Sequence, residues 1–229
     1  MKAISNIIVL FLLAVCLPTT AAAQGGGPEV GFIRIVNAVA PGEGNTTVKL
    51  NGDNIHQRGY RLGQRTGGIG LRAGSHEIRI EKEGVEAGST RINIETGETL
   101  SLIAFAELLP AENDDDPPQW AIRILRLRQS DVERGYRASF VSVCDIPEIR
   151  VEAAAQGLQR IEELTVSRLN MSTLELGENR GEVLVRVGEE VITTISPDSP
   201  GNYVVILYQD EEGEVKGLSF YDPRFVIAG

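Results

Sequence analysis

Glu77-Ile78-Arg79-Ile80-Glu81 sets an isoleucine at every second position between charged neighbours, and that alternation decides the fold class. Side chains on an extended chain point to opposite faces in turn, so one face of this segment is apolar and the other charged, as a half-buried strand requires. The same period recurs on either side of it. Val48 and Leu50 alternate with Thr47 and Lys49, and Ile92 and Ile94 with Arg91, Asn93 and Glu95. Two other runs, Leu100 to Phe105 and Tyr203 to Tyr208, are apolar on both phases, which suits central strands covered on both faces.

Turn signals separate the runs at Asn51-Gly52, Glu83-Gly84, Thr96-Gly97 and Glu212-Gly213. Asn-Gly tolerates the positive φ of a tight hairpin and is the strongest of the four. Short strands with turns at roughly 8–12 residue spacing predict a sandwich or barrel. The best helix candidate is Glu152 to Glu163, where Ala153 to Ala155 have high propensity, but Gly157 interrupts it and at most a short turn of helix is expected.

A weak internal repeat runs along the chain. Val48-Lys49-Leu50 returns as Ile149-Arg150-Val151, Ile78-Arg79-Ile80 as Val185-Arg186-Val187, and the run from Leu100 as the run from Tyr203, at similar offsets and in the same order. This favours two copies of one topology over one large sheet. The expected fold is all-β: two tandem small antiparallel β-sandwich domains, Ig-like or Greek-key in form, after a signal peptide. The expected boundaries are 1–23 for the signal peptide, 24–30 for a flexible leader, 31–128 for the first sandwich, 129–134 for a polar linker and 135–229 for the second sandwich.

Lys2, the apolar run from Ile7 to Leu13 and the small residues Ala21 to Ala23 form a secretory signal with cleavage expected before Gln24. Its apolar core is about ten residues, short of the roughly 20 needed to cross a bilayer. Cys16 stands where a lipoprotein would carry its acceptor, but Val15 occupies a position that normally needs a small residue, so cleavage at Ala23 is expected over lipidation at Cys16. The expected localisation is periplasmic or secreted, with no membrane-spanning segment. Cleavage leaves Cys144 as the one thiol, so the mature chain has no intramolecular disulfide and rests on its apolar cores. Cys144 follows Phe140, Val141 and Val143, which predicts a buried, inert thiol. The formal net charge of −10 becomes −11 when Lys2 leaves, which argues against a nucleic-acid partner, so none is expected, and against holding an acidic polymer by bulk attraction.

Few residues are available for chemistry. His56 lies in the polar stretch Asn54 to Arg58, and His76 shares the strand phase of Ile78 and Ile80, which predicts a packing role for it. Cys/His metal spacing, Gly-x-Ser-x-Gly and a phosphate-binding loop are all absent from the sequence. Asn113-Asp114-Asp115-Asp116-Pro117-Pro118 reads as a solvated acidic loop, since three successive carboxylates in an extended chain do not converge on one calcium ion. Asn45-Thr46-Thr47 and Asn170-Met171-Ser172 match glycosylation acceptors. No catalytic, cofactor-binding or metal-ligating residue is assigned, no cofactor is expected, and the chain is read as a non-enzyme.

Gly31-Phe32-Ile33-Arg34-Ile35-Val36-Asn37-Ala38, Val48-Lys49-Leu50-Asn51-Gly52, Leu71-Arg72-Ala73-Gly74-Ser75-His76-Glu77-Ile78 and Glu95-Thr96-Gly97-Glu98-Thr99-Leu100 together resemble a bacterial family of secreted β-sandwich domains of unknown function. With Ile149-Arg150-Val151-Glu152, Val183 to Val187, Tyr203 to Tyr208 and Val215 to Tyr221, the whole mature chain resembles the family of periplasmic accessory proteins of alginate O-acetylation. Asn113 to Pro118 and the acidic charge depart from that pattern. The resemblance implies a supporting role, through protein contacts, for the machinery that acetylates an exported polysaccharide, and carries over no catalytic residue. The expected partners are a periplasmic or membrane-bound polysaccharide acetyltransferase and an exopolysaccharide. The alternative is an extracytoplasmic carbohydrate-binding or adhesion module, for which Trp120 and Tyr60 are the candidate aromatic platform. A third reading, an O-acetyl esterase or transferase, lacks a Ser/His/Asp constellation.

Overall fold

The computed structural model describes residues 29–111, 117–129, 132, 135–155, 161–178 and 181–223. The signal peptide, Cys16, the run Asn113 to Asp116, Gly157 and most of the expected linker lie outside them.

The described residues are all-β. The first half holds β1 (Val30–Ala38), β2 (Glu43–Leu50), β3 (Asp53–Asn54), β4 (Ile69–Arg72), β5 (Gly74–Glu83), β6 (Val85–Ile94), β7 (Thr99–Leu109) and β8 (Gln119–Arg128). The second holds β9 (Tyr136–Ser142), β10 (Glu148–Ala155), β11 (Ile161–Ser167), β12 (Met171–Gly177), β13 (Val183–Val187), β14 (Glu190–Ile195), β15 (Gly201–Gln209) and β16 (Val215–Asp222). The turn signals act as read: Asn51 has φ 51° and Gly52 φ 93° between β2 and β3, and Glu212-Gly213 lies in the β15–β16 hairpin.

In the first half the strand order is β3-β2-β5-β6-β8-β7-β1-β4, with β6 and β8 joined by one parallel pair, Glu86 with Ala121. The sheet folds over at that joint. Gly88 permits the close approach, since a Cβ there would lie 2.5 Å from the carbonyl oxygen of Ile122. Val48, Ile78, Ile80, Ile92 and Ile94 of one layer then pack on Ile33, Ile35, Leu100, Leu102 and Ile122 of the other. The second half has two four-stranded sheets, β11-β10-β13-β14 and β12-β9-β15-β16. Between them Phe140, Val151, Val166, Val185, Ile195, Val205 and Leu207 form a second core.

The two strand orders correspond one to one: each strand of the first half has its counterpart eight places later. The three repeated sequence segments fall on β2/β10, β5/β13 and β7/β15. Two expectations need correction. The sheets are mixed rather than wholly antiparallel, because β1 runs parallel to β7 and β9 parallel to β15. Those neighbours are separated by several intervening strands, and a long crossover is what parallel pairing demands. The described residues of the helix candidate are also strand: Glu152 pairs with Glu163 and Ala153 with Glu162 across β10 and β11. Ile149, Val151 and Ala153 alternate into the core, and that burial overrides the helix propensity of alanine.

A third core explains the runs that are apolar on both phases. Leu100, Leu102 and Ala104 face the core of their own half, whereas Val36, Ala38, Ile103 and Phe105 meet Val141, Val143, Val204, Ile206 and Phe220 of the other half. Four sheet layers are thus stacked, with the two inner ones buried on both faces. Within this third core Arg34 Nη1 donates to Asp222 Oδ1 at 3.0 Å, with both side chains 4% exposed, and the guanidinium lies 4.7 Å from the Phe220 ring centroid. Gln129, assigned to the linker by sequence, is held by both halves: its backbone N–H donates to Thr99 O at 3.2 Å and its side-chain amide to Asp222 O at 2.9 Å.

Ile80 is fully buried, while Arg79 projects from the opposite face to bond Glu81. Ile80→Ala is expected to cost about 2–5 kcal/mol in a denaturant titration, and Arg79→Ala under about 0.5. Equal losses would contradict this assignment of faces.

Candidate functional site

At one end of the contact between the halves the chain leaves a cleft of about 430 Å³. Its apolar wall is Ala38, Pro41, Ala106, Trp120 and Val143, and its polar wall is Asp145, Gln209, Asp210 and Glu211. Trp120 sits at the start of β8 directly opposite Leu108 of β7. In an antiparallel pair directly opposed residues share a face, so the two form one apolar patch. Trp120 is 36% and Leu108 45% exposed, and it is their contiguity that makes an apolar patch of them rather than scattered surface residues.

The polar wall is braced from within. Gln209 Oε1 accepts the Asp145 N–H at 2.8 Å, and its amide donates to Gly213 O at 3.0 Å. Asp210 Oδ1 accepts the N–H groups of Glu212 and Glu214 at 3.1 and 2.9 Å, fixing the β15–β16 turn. The segment leading to Pro41 is held by Lys82, whose buried ammonium donates to Val39 O at 3.0 Å and Ala40 O at 2.9 Å. Burial pushes the pKa of Lys82 down, with Glu211 acting in the opposite direction.

Arg168 clamps the halves beside the cleft. Its Nε donates to Cys144 O at 3.0 Å, its Nη2 to Glu107 Oε1 of β7 at 3.2 Å, and its guanidinium lies 5.9 Å from the Phe105 ring. Burial works against the Glu107 carboxylate, but hydrogen bonds from Arg123 and Arg168 hold its pKa below the usual range. The cleft is therefore a braced recess with one aromatic in its apolar wall and an acidic rim, suited to gripping an apolar or sugar face beside a cationic or hydroxyl group.

The residues singled out by sequence are dispersed. His76 is half-buried at the end of β5, its Nδ1 3.1 Å from Asn51 Nδ2 and its Nε2 2.8 Å from Arg72 O, so both ring nitrogens are engaged in holding the turn. Cys144 is buried, and desolvation pushes its thiol up to about 11; the thiolate needed for nucleophilic attack is scarce at neutral pH. His56 is in a loop, its ring 5.3 Å from that of half-buried Tyr60. Trp120 and Tyr60 line different pockets, so they form no single platform. Among the described residues no group of three or more His, Cys, Asp or Glu converges as a metal site. Asn45 is exposed, with its side-chain amide donating to Arg58 O at 2.7 Å.

Sequence reasoning missed one feature that was visible in it. From Asn54 to His76 there is no Asp or Glu, while Arg58, Arg61, Arg65, Arg72 and two histidines are present, in a chain with a large acidic excess. Comparison with models of known protein families and with curated proteins returns no match.

Proposed function

We propose that the chain is a non-catalytic periplasmic accessory protein that supports O-acetylation of an exported, alginate-like polysaccharide by holding a partner enzyme. The observation that carries this reading is the Trp120–Leu108 patch beside Asp145, Asp210 and Glu211. A buried-on-binding aromatic surrounded by a polar rim is the usual form of an interface anchor. The carboxylates favour a partner with a basic patch, with association that weakens as salt rises. The engagement of His76 and the raised pKa of Cys144 are consistent with the absence of an acyl-transfer role for either.

Purified protein is expected to show no turnover on model acetyl esters. In cells its deletion should reduce polysaccharide acetylation, and a pull-down at low salt should recover an acetyltransferase. Trp120→Ala is expected to weaken that capture by roughly 30-fold or more, the loss of about 2 kcal/mol typical of an anchor. Unchanged acetylation in the deletion strain, with no acetyltransferase captured at low salt, would overturn this reading. The second reading, a carbohydrate-binding module, is favoured by the same tryptophan lying in a recess with Gln209 and carboxylates, and would then stand in front.

A further inference from the structure

A second pocket of about 430 Å³ lies in the connection between β3 and β4. That connection runs from 55 to 68, whereas its counterpart between β11 and β12 runs only from 168 to 170. Long connections without regular structure in a compact fold are most often functional. This one is an addition to a topology that the second half completes without it.

The pocket is lined by Asn45, His56, Arg58, Tyr60, Arg61, Gln64 and Arg65, with no carboxylate among them. Among the described residues none of these three arginines takes part in an ion pair. Arg65 stands near the like charge of Arg34, and its guanidinium lies 5.3 Å from the Phe220 ring. In a protein with excess acid, surface arginines ordinarily find carboxylates; here they are gathered away from them.

The loop is also held in place. Tyr60 exchanges both backbone hydrogen bonds with Thr46, at 2.8 and 2.9 Å. Asn37 N–H donates to Gln64 O at 2.9 Å, Gly63 N–H to Asn37 O at 2.9 Å, and Thr66 N–H to Ile35 O at 2.9 Å. Gly63, at φ 73°, lies so close to the second half that a Cβ would stand 2.4 Å from the Tyr208 hydroxyl. The cationic side chains thus project from a backbone held by β1 and β2 and packed close to β15, so the loop backbone itself is already ordered for a ligand.

We infer that this pocket binds the carboxylate of an acidic sugar, one or two residues of a uronate chain at a time. Guanidinium groups match carboxylates in planar, bidentate hydrogen bonds. Asn45 Nδ2 already donates to Arg58 O at 2.7 Å and Gln64 Oε1 accepts the Arg61 N–H at 2.8 Å, which leaves Asn45 Oδ1 and Gln64 Nε2 for hydroxyl groups, and the Tyr60 ring offers an apolar face. The loop backbone is already hydrogen-bonded, so it offers no edge for an acidic peptide to extend as a strand. The choice of a sugar as carrier rests on the polysaccharide reading above; the anion site rests on the pocket alone. Bulk charge opposes an acidic polymer, and the local cluster overcomes it at short range.

Calorimetric titration of the whole chain with tetragalacturonate and tetramannuronate is the test, with cellotetraose, inorganic phosphate and tetraglutamate as comparators. Binding of a uronate is expected, with none to cellotetraose and weaker binding of phosphate and tetraglutamate. Arg58→Ala with Arg61→Ala should weaken it at least tenfold, Arg58→Lys with Arg61→Lys by less, and Arg128→Ala, on β8, should leave it unchanged. The lysine pair keeps the test open should the alanine pair fail to fold. No binding of either uronate, undiminished binding by both double variants, or equal binding of tetraglutamate would overturn the inference. Uronate binding together with normal acetylation in a deletion strain would sink the accessory role and leave this site standing.

Discussion

Asp222→Ala is expected to destabilise the protein by about 3–5 kcal/mol, the usual loss when one member of a buried ion pair is removed and the other stays behind. Asp222 and Arg34 are each almost wholly shielded and come from the last and first strands of the two inner sheets. The variant strands a guanidinium between two apolar faces. Replacing both residues with apolar side chains, Arg34→Met with Asp222→Leu, should recover most of the loss. Burial raises the Asp222 pKa, and Arg34 offsets this only in part. A carboxyl whose folded pKa is raised binds its proton more tightly in the native state. Stability from this group is then greatest below the unfolded value and declines as pH climbs through the folded one. The gap between wild type and Asp222→Ala should therefore narrow with rising pH and level off above the raised value. Denaturant titrations across acidic to neutral pH decide this; a loss under about 1 kcal/mol at every pH would show the pair to be solvated.

Separating the halves between 128 and 135 is expected to give two pieces that each unfold cooperatively and that bind one another when mixed. Each keeps a core of its own, around Ile78 and Ile80 in one and Phe140 and Val205 in the other. Each also exposes the face around Phe105 or Ile206 that the intact chain buries. Those faces are apolar strands of matching extent, and their reburial drives reassociation. Asp222→Ala should weaken the association by roughly 100-fold or more, the equivalent of about 3 kcal/mol. Sedimentation of each piece and of the mixture measures it. Pieces that remain separate at high micromolar concentration would mean the third core contributes little, and a piece that behaves as an unfolded chain would mean its own core is insufficient.

What the sequence disclosed follows from the range over which each signal acts. Ile78 and Ile80 reveal their strand because alternation is a local property, and the β2/β10, β5/β13 and β7/β15 matches survive because equivalent strands need similar residues. Leu100 to Phe105 announced that both faces of β7 are covered. It could not say by what, since Ile206 and Phe220 lie a whole half away in the chain. Ala153 misled because alanine is compatible with either state and only its partners in β13 and β11 decide between them. The cleft stayed hidden for the same reason: Trp120 and Asp210 meet only through the stacking of the halves. The arginine loop differed. Its charge bias lies within one segment and is legible there, although the chain as a whole carries the opposite sign.

Val36, Ile103 and Leu125 of β1, β7 and β8 face Val141, Val204 and Leu218 of β9, β15 and β16, so each half offers the equivalent face of its equivalent strands. This has the form of a two-fold homodimer contact, written into one chain. A true dimer comes apart on dilution, whereas a covalent connection sets an effective concentration that does not depend on how much protein is present. At any dilution, therefore, the cleft and the arginine loop keep a fixed spacing on a single molecule.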